Sequence, residues 1–187
     1  MKVIAISGKA QHGKDTTAVM LKEGLEADGC RVLITHYGDL VKYVCQTFFD
    51  WDGEKNEAGR TLLQHVGTDV IRTKNEDFWV CFIVNILTFF PEEWDYVLIP
   101  DCRFPNEIMY LRTSGFDVTH LRVIRPDFKS PLTSVQQHHP SETALDSTEA
   151  DVYLMNDGTL ADLHGKITEY ITASNGFHQL ALELITA

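Results

Sequence analysis

The amino-acid sequence predicts an α/β domain built on a five-stranded parallel sheet with helices on both faces. Three observations lead there: apolar runs that are continuous rather than alternating, helix-period segments between them, and a length of 187 residues that suits one core. The runs are Lys2 to Ser7, Arg31 to His36, Tyr96 to Pro100, Val118 to Ile124 and Val152 to Met155. A strand covered by helices on both faces has no wet side, so it loses the apolar-polar alternation.

The intervening segments carry the helical period. Thr16 to Ala27 places Ala18, Val19, Leu21 and Leu25 on one side and stops at Gly29, and Asp39 to Phe49 repeats the spacing with Leu40, Val41, Val44 and Phe48. Asp77 to Phe90 is closed by Pro91. Pro105 suits the first turn of a helix reaching about Thr113, with Gly115 as its stop, and Thr159 to Ile171 aligns Leu160, Leu163 and Ile167. Alternating β and α elements imply a doubly wound sheet that binds ligands at the carboxyl ends of its strands, where the strand order reverses.

Two connections exceed ordinary loop length: a mainly helical one over 37–93 and one over 126–149 that contains proline and histidine. Both are expected to cover substrate, as insertions in a single domain over 1–187. The apolar stretch from Phe177 to Ile185 suits either a last docked helix or a contact between two copies in a homodimer.

Composition narrows the function classes. Hydrophobic residues make up 44% and charged residues 23%, without low-complexity tracts or a fixed-period repeat, which removes the case for disorder or a solenoid. A net charge of −11 without a lysine or arginine cluster argues against binding polymeric nucleic acid, which relies on counterion release. Anion binding remains open if the few cations converge on one cleft. The apolar run at the N-terminus is too short for a signal peptide or a membrane span, so a cytoplasmic protein is expected. Cys30, Cys45, Cys81 and Cys102 form no CxxC pair and are expected to be reduced and free of metal.

The strongest local signal is Gly8-Lys9-Ala10-Gln11-His12-Gly13-Lys14-Asp15-Thr16, directly after the first strand and directly before a helix. Glycines at 8 and 13 let the backbone turn so that successive N–H groups face a phosphate. The helix start adds its positive dipole end, and Lys14 adds a mobile charge. This is a phosphate-binding loop, and with the strand pattern it predicts the P-loop nucleotide-hydrolase fold. The usual motif puts a hydroxyl directly after the lysine to meet Mg²⁺; here Asp15 stands there and Thr16 comes one place late.

With Gly59-Arg60-Thr61-Leu62-Leu63-Gln64, Gly67-Thr68-Asp69, Arg72, Asp101 to Glu107 and Asn156-Asp157-Gly158-Thr159, that loop resembles the bacteriophage-type deoxynucleoside monophosphate kinases, relatives of the adenylate kinase group. The resemblance spans residue 3 to about 170. It implies ATP and Mg²⁺ as cofactors, a deoxynucleoside monophosphate as acceptor, and, if the gene is a phage's, the host cytoplasm as location. The phosphate loop alone leaves open a kinase for another small molecule, such as dephospho-coenzyme A or phosphomevalonate. A nucleotide-binding module without turnover is a third reading, although no Asn-Lys-x-Asp guanine motif is present.

Roles follow residue by residue. Gly8, Lys9, His12, Gly13, Lys14, Asp15 and Thr16 are expected around the nucleotide phosphates, and Asn156 and Gly158 near its base, although a turn plus a helix cap explains the latter pair equally well. Arg60 and Gln64 lie four apart and share a helix face, with Arg72 three turns on and rotationally offset. The resemblance assigns Arg60 and Arg72 to the acceptor phosphate and Gln64 to its base or sugar, with Asp39, Lys42, Trp79 and Glu142 also substrate-facing. Asp39 and Lys42 read equally as a helix N-cap and an exposed lysine. Asp101 ends the third strand, where a carboxylate reaches Mg²⁺ together with Thr16, and Arg103 two residues on faces the same cleft. Arg125 leaves the fourth strand and is expected among the arginines that neutralise the phosphoryl in transit. His138 and His139 do not have the spacing of a structural zinc site.

Overall fold

β1 (Lys2–Ser7) lies at the centre of a five-stranded, wholly parallel sheet in the order β2-β3-β1-β4-β5. The other strands are β2 (Val32–Ile34), β3 (Tyr96–Ile99), β4 (Asp117–Ile124) and β5 (Val152–Met155). The computed structural model describes residues 1–185, with side chains as far as Ser174. Because β3 and β4 flank β1 on opposite sides, the chain reverses its winding at the end of β1, and the crevice opens there.

Alternate residues of β1 feed two cores. Val3, with Val97 and Ile99 of β3, packs under α2 (Tyr37–Phe48) and α4 (Phe78–Phe89), where Val41, Cys45, Val80, Ile83 and Leu87 are buried. Ile4 and Ile6, with Leu98, Leu121 and Leu154, pack under α1 (Lys14–Ala27) and α8 (Leu160–Ile185), where Leu21, Leu25, Leu163 and Ile167 are buried. Leu21, Leu87 and Leu98 are fully buried, so truncating any of them to alanine would cost about 2–5 kcal/mol. Between the sheet's end and its helices a buried polar pair, Ser7 Oγ and His120 Nε2 at 2.7 Å, joins β1 to β4, and burial lowers the His120 pKa, favouring the neutral ring.

Several boundaries differ from the sequence expectation. β2 is three residues rather than six, because Arg31 is held by the Asp95 carboxylate and His36 already serves as the N-cap of α2. α1 starts at Lys14 rather than Thr16: Gly13, at φ 97°, turns the loop directly into the helix. The helix expected to stop near Ile171 runs through Ser174-Asn175-Gly176 to Ile185. The side chains from Phe177 onward lie outside the described residues, and with them both the docking and the homodimer readings of that stretch.

Between β2 and β3, α3 (Glu57–Gln64) passes without a break into a π-helical segment, His65–Arg72. After β4 come two single-turn helices, α6 (Ser134–Gln137) and α7 (Pro140–Thr143), and α5 (Pro105–Thr113) follows β3. Among the described residues no helix is long and apolar enough to cross a membrane.

Candidate functional site

The phosphate loop takes the shape its glycines predict. Gly8 (φ 144°) and Gly13 (φ 97°) both have backbone that only glycine adopts easily. A β-carbon on Gly8 would come within 2.4 Å of the Val123 carbonyl, and one on Gly13 within 2.7 Å of the Asn156 amide. No side chain caps α1, and the N–H groups of Lys14, Asp15 and Thr16 have no partner among the described residues. Three unpaired donors at the positive end of a fourteen-residue helix form an anion cradle. The Lys14 ammonium folds back onto the carbonyls of Gly8 (2.8 Å) and Lys9 (2.9 Å). Burial, then the nearby Arg103 guanidinium, pushes its pKa down to about 8.

Two cavities meet at this loop. The first, about 390 Å³, lies toward α2, α3 and β3; the second, about 340 Å³, lies toward β5 and the start of α8. Gln11, Lys14 and Asp15 line both. A single lysine thus stands between two adjoining compartments.

The first cavity collects Arg60, Gln64, Thr68 and Arg72, four residues at intervals of four. A plain α-helix would not do this. Twelve residues at about 3.6 per turn leave roughly a third of a turn over, which is the offset expected from sequence. The π segment removes it: with i→i+5 turns of about 4.4 residues each, Arg60 to Arg72 makes almost three whole turns. The widened helix therefore turns Arg72 onto the face of Arg60.

The two arginines differ in their surroundings. The Arg60 guanidinium has no hydrogen bond or ion pair among the described residues, so its fork is free for an anion. Arg72, 8% exposed, is ion-paired with Glu107 at 3.1 Å, hydrogen-bonded to Asn106 and stacked 3.7 Å over the Phe104 ring. Trp79 closes the cavity floor, its indole N–H held by the Gly67 carbonyl at 2.9 Å. Lys42 lines the cavity but is tied to Asp39 at 2.6 Å; Asp39 itself faces His36 and Lys42 and lines neither cavity. The N-cap of α2 is His36, not Asp39.

Asp101 serves a purpose not expected from sequence. Its carboxylate accepts the N–H groups of Tyr37 (3.1 Å) and Gly38 (2.7 Å), capping α2 from the end of β3. Burial raises its pKa. Each oxygen keeps lone-pair capacity toward the first cavity, and the Thr16 hydroxyl, without a partner among the described residues, opens on the second. Hydroxyl and carboxylate oxygens either side of a phosphate cradle fit a hard cation such as Mg²⁺.

Glu107, for which no role is expected from sequence, is the hub of this wall. Only 3% exposed, it accepts the N–H groups of Arg103 (2.7 Å) and Phe104 (3.0 Å) besides pairing with Arg72, and burial raises its pKa to about 7. The signal available was a glutamate three places after the residue before Pro105, the spacing of a helix-capping carboxylate.

Lys9 and His12, expected to bind nucleotide, line neither cavity. Lys9 turns to the segment after β4, bonding the Glu142 carbonyl at 2.6 Å and the Asp146 carboxylate. The His12 ring accepts the Arg125 N–H at 3.2 Å; burial lowers its pKa, consistent with a neutral acceptor. Arg125 lines the second cavity, stacked 4.6 Å over Phe128, and does not line the first, because the turn at the end of β4 carries it to the far side of the loop. Asn156 and Gly158 also line the second cavity, and the Asn156 side chain braces the loop by donating to the His12 carbonyl at 3.0 Å. Glu142 lines the first cavity, bonded to Arg103 and the Ala10 N–H. His139 binds Asp69 at 3.1 Å while His138 binds the Ser134 carbonyl at 2.7 Å, so the neighbouring imidazoles diverge.

A family model described as deoxynucleotide monophosphate kinase matches residues 35–167, well over half of the chain. A deoxynucleotide monophosphate kinase of Enterobacteria phage T4 is 37% identical over 111 residues, which take in 58% of this chain and 43% of that protein; the chain thus spans less than half of that relative's length. A putative deoxynucleotide monophosphate kinase of Acanthamoeba polyphaga mimivirus is 29% identical over 194 residues, covering 89% of this chain and 94% of the other. A sugar kinase structure from Janibacter sp. HTCC2649 superposes with a TM-score of 0.55 at 12% identity, over 92% of this chain and 95% of that one, a likeness of fold alone. The matched stretch contains the Arg60-to-Arg72 face and the Asp101-to-Glu107 wall, and the chain belongs to the deoxynucleotide monophosphate kinase family.

Proposed function

We propose that the chain transfers the γ-phosphate of ATP to a deoxynucleoside monophosphate, giving ADP and a deoxynucleoside diphosphate. One observation carries the reading: two cavities share Lys14, one against the anion cradle of α1 and the other lined by the free guanidinium of Arg60. A nucleotide-binding module without an acceptor has no use for a second, cationic compartment.

In this reading ATP occupies the second cavity, its phosphates on the N–H groups of Lys14, Asp15 and Thr16, with Arg125 and Asn156 toward its base. The acceptor occupies the first cavity, its phosphate on Arg60 and its base between Trp79 and Phe104. Arg72 shapes the wall, its own charge already met by Glu107. The 37–93 segment is then the acceptor-binding insertion and 126–149 the lid. An acceptor phosphate oxygen attacks the γ-phosphorus, the new P–O bond forms, and the bond to the β,γ-bridging oxygen breaks with its electrons leaving on ADP. Phosphoryl transfer asks the protein mainly for positioning and charge, which Lys14 supplies between the two cavities and Arg103 from the wall of the first. Mg²⁺, when bound, would neutralise charge on the β- and γ-phosphates, with Thr16 and Asp101 the residues to hold it or its waters.

The test is ADP release from ATP and Mg²⁺ against a panel of deoxynucleoside and ribonucleoside monophosphates, modified pyrimidines included. Turnover with one or more deoxynucleotides, absent from a Lys14→Ala variant, is the expected result. Silence across the panel in a chain that still binds ATP would overturn the acceptor assignment and direct attention to other small-molecule acceptors.

A further inference from the structure

Glu142 has a part in none of the steps above, yet its side chain is 6% exposed and stands among cations. Its Oε2 accepts the Ala10 N–H at 3.1 Å, its Oε1 is paired with Arg103 Nη1, and its backbone carbonyl accepts Lys9 Nζ at 2.6 Å. Arg103 Nη1 also donates to the Ser141 carbonyl at 2.9 Å. That prong of the guanidinium is fully committed. Nε and Nη2 have no partner among the described residues and are not buried, so they open on the cavity that Arg103 lines.

A carboxylate here is costly twice: it is desolvated, and it repels incoming phosphates. What it fixes is the direction of the Arg103 fork. We propose that Glu142 is a positioning residue for Arg103, pinning Nη1 to the phosphate loop so that Nε–H and Nη2–H are presented, already oriented, to the phosphoryl group in transit. The proposal rests on the phosphoryl-transfer reading above. The geometry disfavours the opposite role, a plug expelled by ATP. Ala10 lines the acceptor cavity and not the nucleotide cavity, and Glu142 leaves the N–H groups of Lys14, Asp15 and Thr16 untouched.

The test is a double-mutant cycle on the full chain with Glu142→Gln, Arg103→Ala and both, read by kcat and KM for ADP release and by calorimetric titration with a non-hydrolysable ATP analogue. Glu142→Gln is expected to lower kcat about tenfold or more while moving either KM less than about threefold. In the Arg103→Ala background it should lower kcat no further. In the binding arm, removing the carboxylate should tighten the analogue in the Arg103→Ala background, where only repulsion is lost. It should do so at least about threefold less in the native background, where Arg103 is also released. Equal factors in both backgrounds, by either readout, would overturn the proposal. A wild-type chain without turnover would sink the kinase reading, and the binding cycle would still decide whether Glu142 acts through Arg103. Should Glu142→Gln fail to fold, Glu142→Asp, which keeps the charge but cannot span both Ala10 and Arg103, runs through the kinetic arm: a loss of kcat absent from the Arg103→Ala background is expected, and equal factors in both would overturn the proposal.

Discussion

The two compartments flanking Lys14 are built on opposite plans. The side proposed for the nucleotide is mostly backbone: an uncapped helix end, two glycines in left-handed conformations and a loop braced by Asn156. The side proposed for the acceptor is side chains, with Arg72, Arg103 and Lys42 each met by a protein carboxylate and Arg60 left open. A phosphate cradle made of N–H groups can be encoded in nine consecutive residues. A cleft for an acceptor has to be assembled from groups far apart in sequence, and most of the cations brought there are held by a carboxylate. The difference predicts that Lys14, at the shared point, acts on turnover, whereas Glu107 acts on stability and Arg60 on acceptor affinity, with the Arg103–Glu142 pair the part of the acceptor wall that also acts on turnover.

The largest effect is expected at the shared point. Lys14→Ala should lower kcat roughly a hundred- to a thousandfold in steady-state ADP release, with the melting temperature little changed. Next comes Glu107→Ala, which leaves Arg72 buried, charged and unpaired. A loss of about 3–5 kcal/mol by denaturant titration is expected, and a loss within error of zero would show that the acceptor wall is not held by that pair. Arg60→Ala should raise the acceptor KM about tenfold or more while leaving the ATP KM alone. Stability should change by no more than about 0.5 kcal/mol, since this guanidinium has no partner to lose among the described residues.

The smallest effect is a pH dependence confined to the nucleotide side. Only protonated Lys14 attracts phosphate, and its free pKa is pushed down to about 8 by burial first and Arg103 second. Bound phosphate favours the charged form, so binding takes up a proton. ATP affinity should therefore be full below about pH 7, roughly halved at pH 8, and fall a further severalfold by pH 9 in calorimetry. An affinity flat to pH 9 would place the ammonium in ordinary solvent.

The same contrast explains what sequence reading could reach. The cradle was legible because all its parts are neighbours: Gly8, Gly13 and Lys14 between a strand and a helix admit few other uses. The five strands were legible because burial on both faces leaves a continuous apolar run, and the larger shifts were at β2, the start of α1 and the end of α8. Arg72 could be placed on a helix but not on the right face, because nothing in the letters from His65 to Arg72 signals a π-helical stretch. Lys9 and His12 look like nucleotide ligands locally. Their actual partners, Asp146 and the backbone of Arg125, lie more than a hundred residues away. Asp101 reads from sequence as a Mg²⁺-facing carboxylate after β3; its grip on Tyr37 and Gly38 was not legible because it depends on where α2 docks.

The central claim is that donor and acceptor occupy adjoining sites at the same time. Calorimetric titration of a deoxynucleoside monophosphate into the chain saturated with a non-hydrolysable ATP analogue and Mg²⁺ measures this directly. One acceptor per chain, bound at least as tightly as in the absence of the analogue, is the predicted result; competition between the two nucleotides for one site would contradict it.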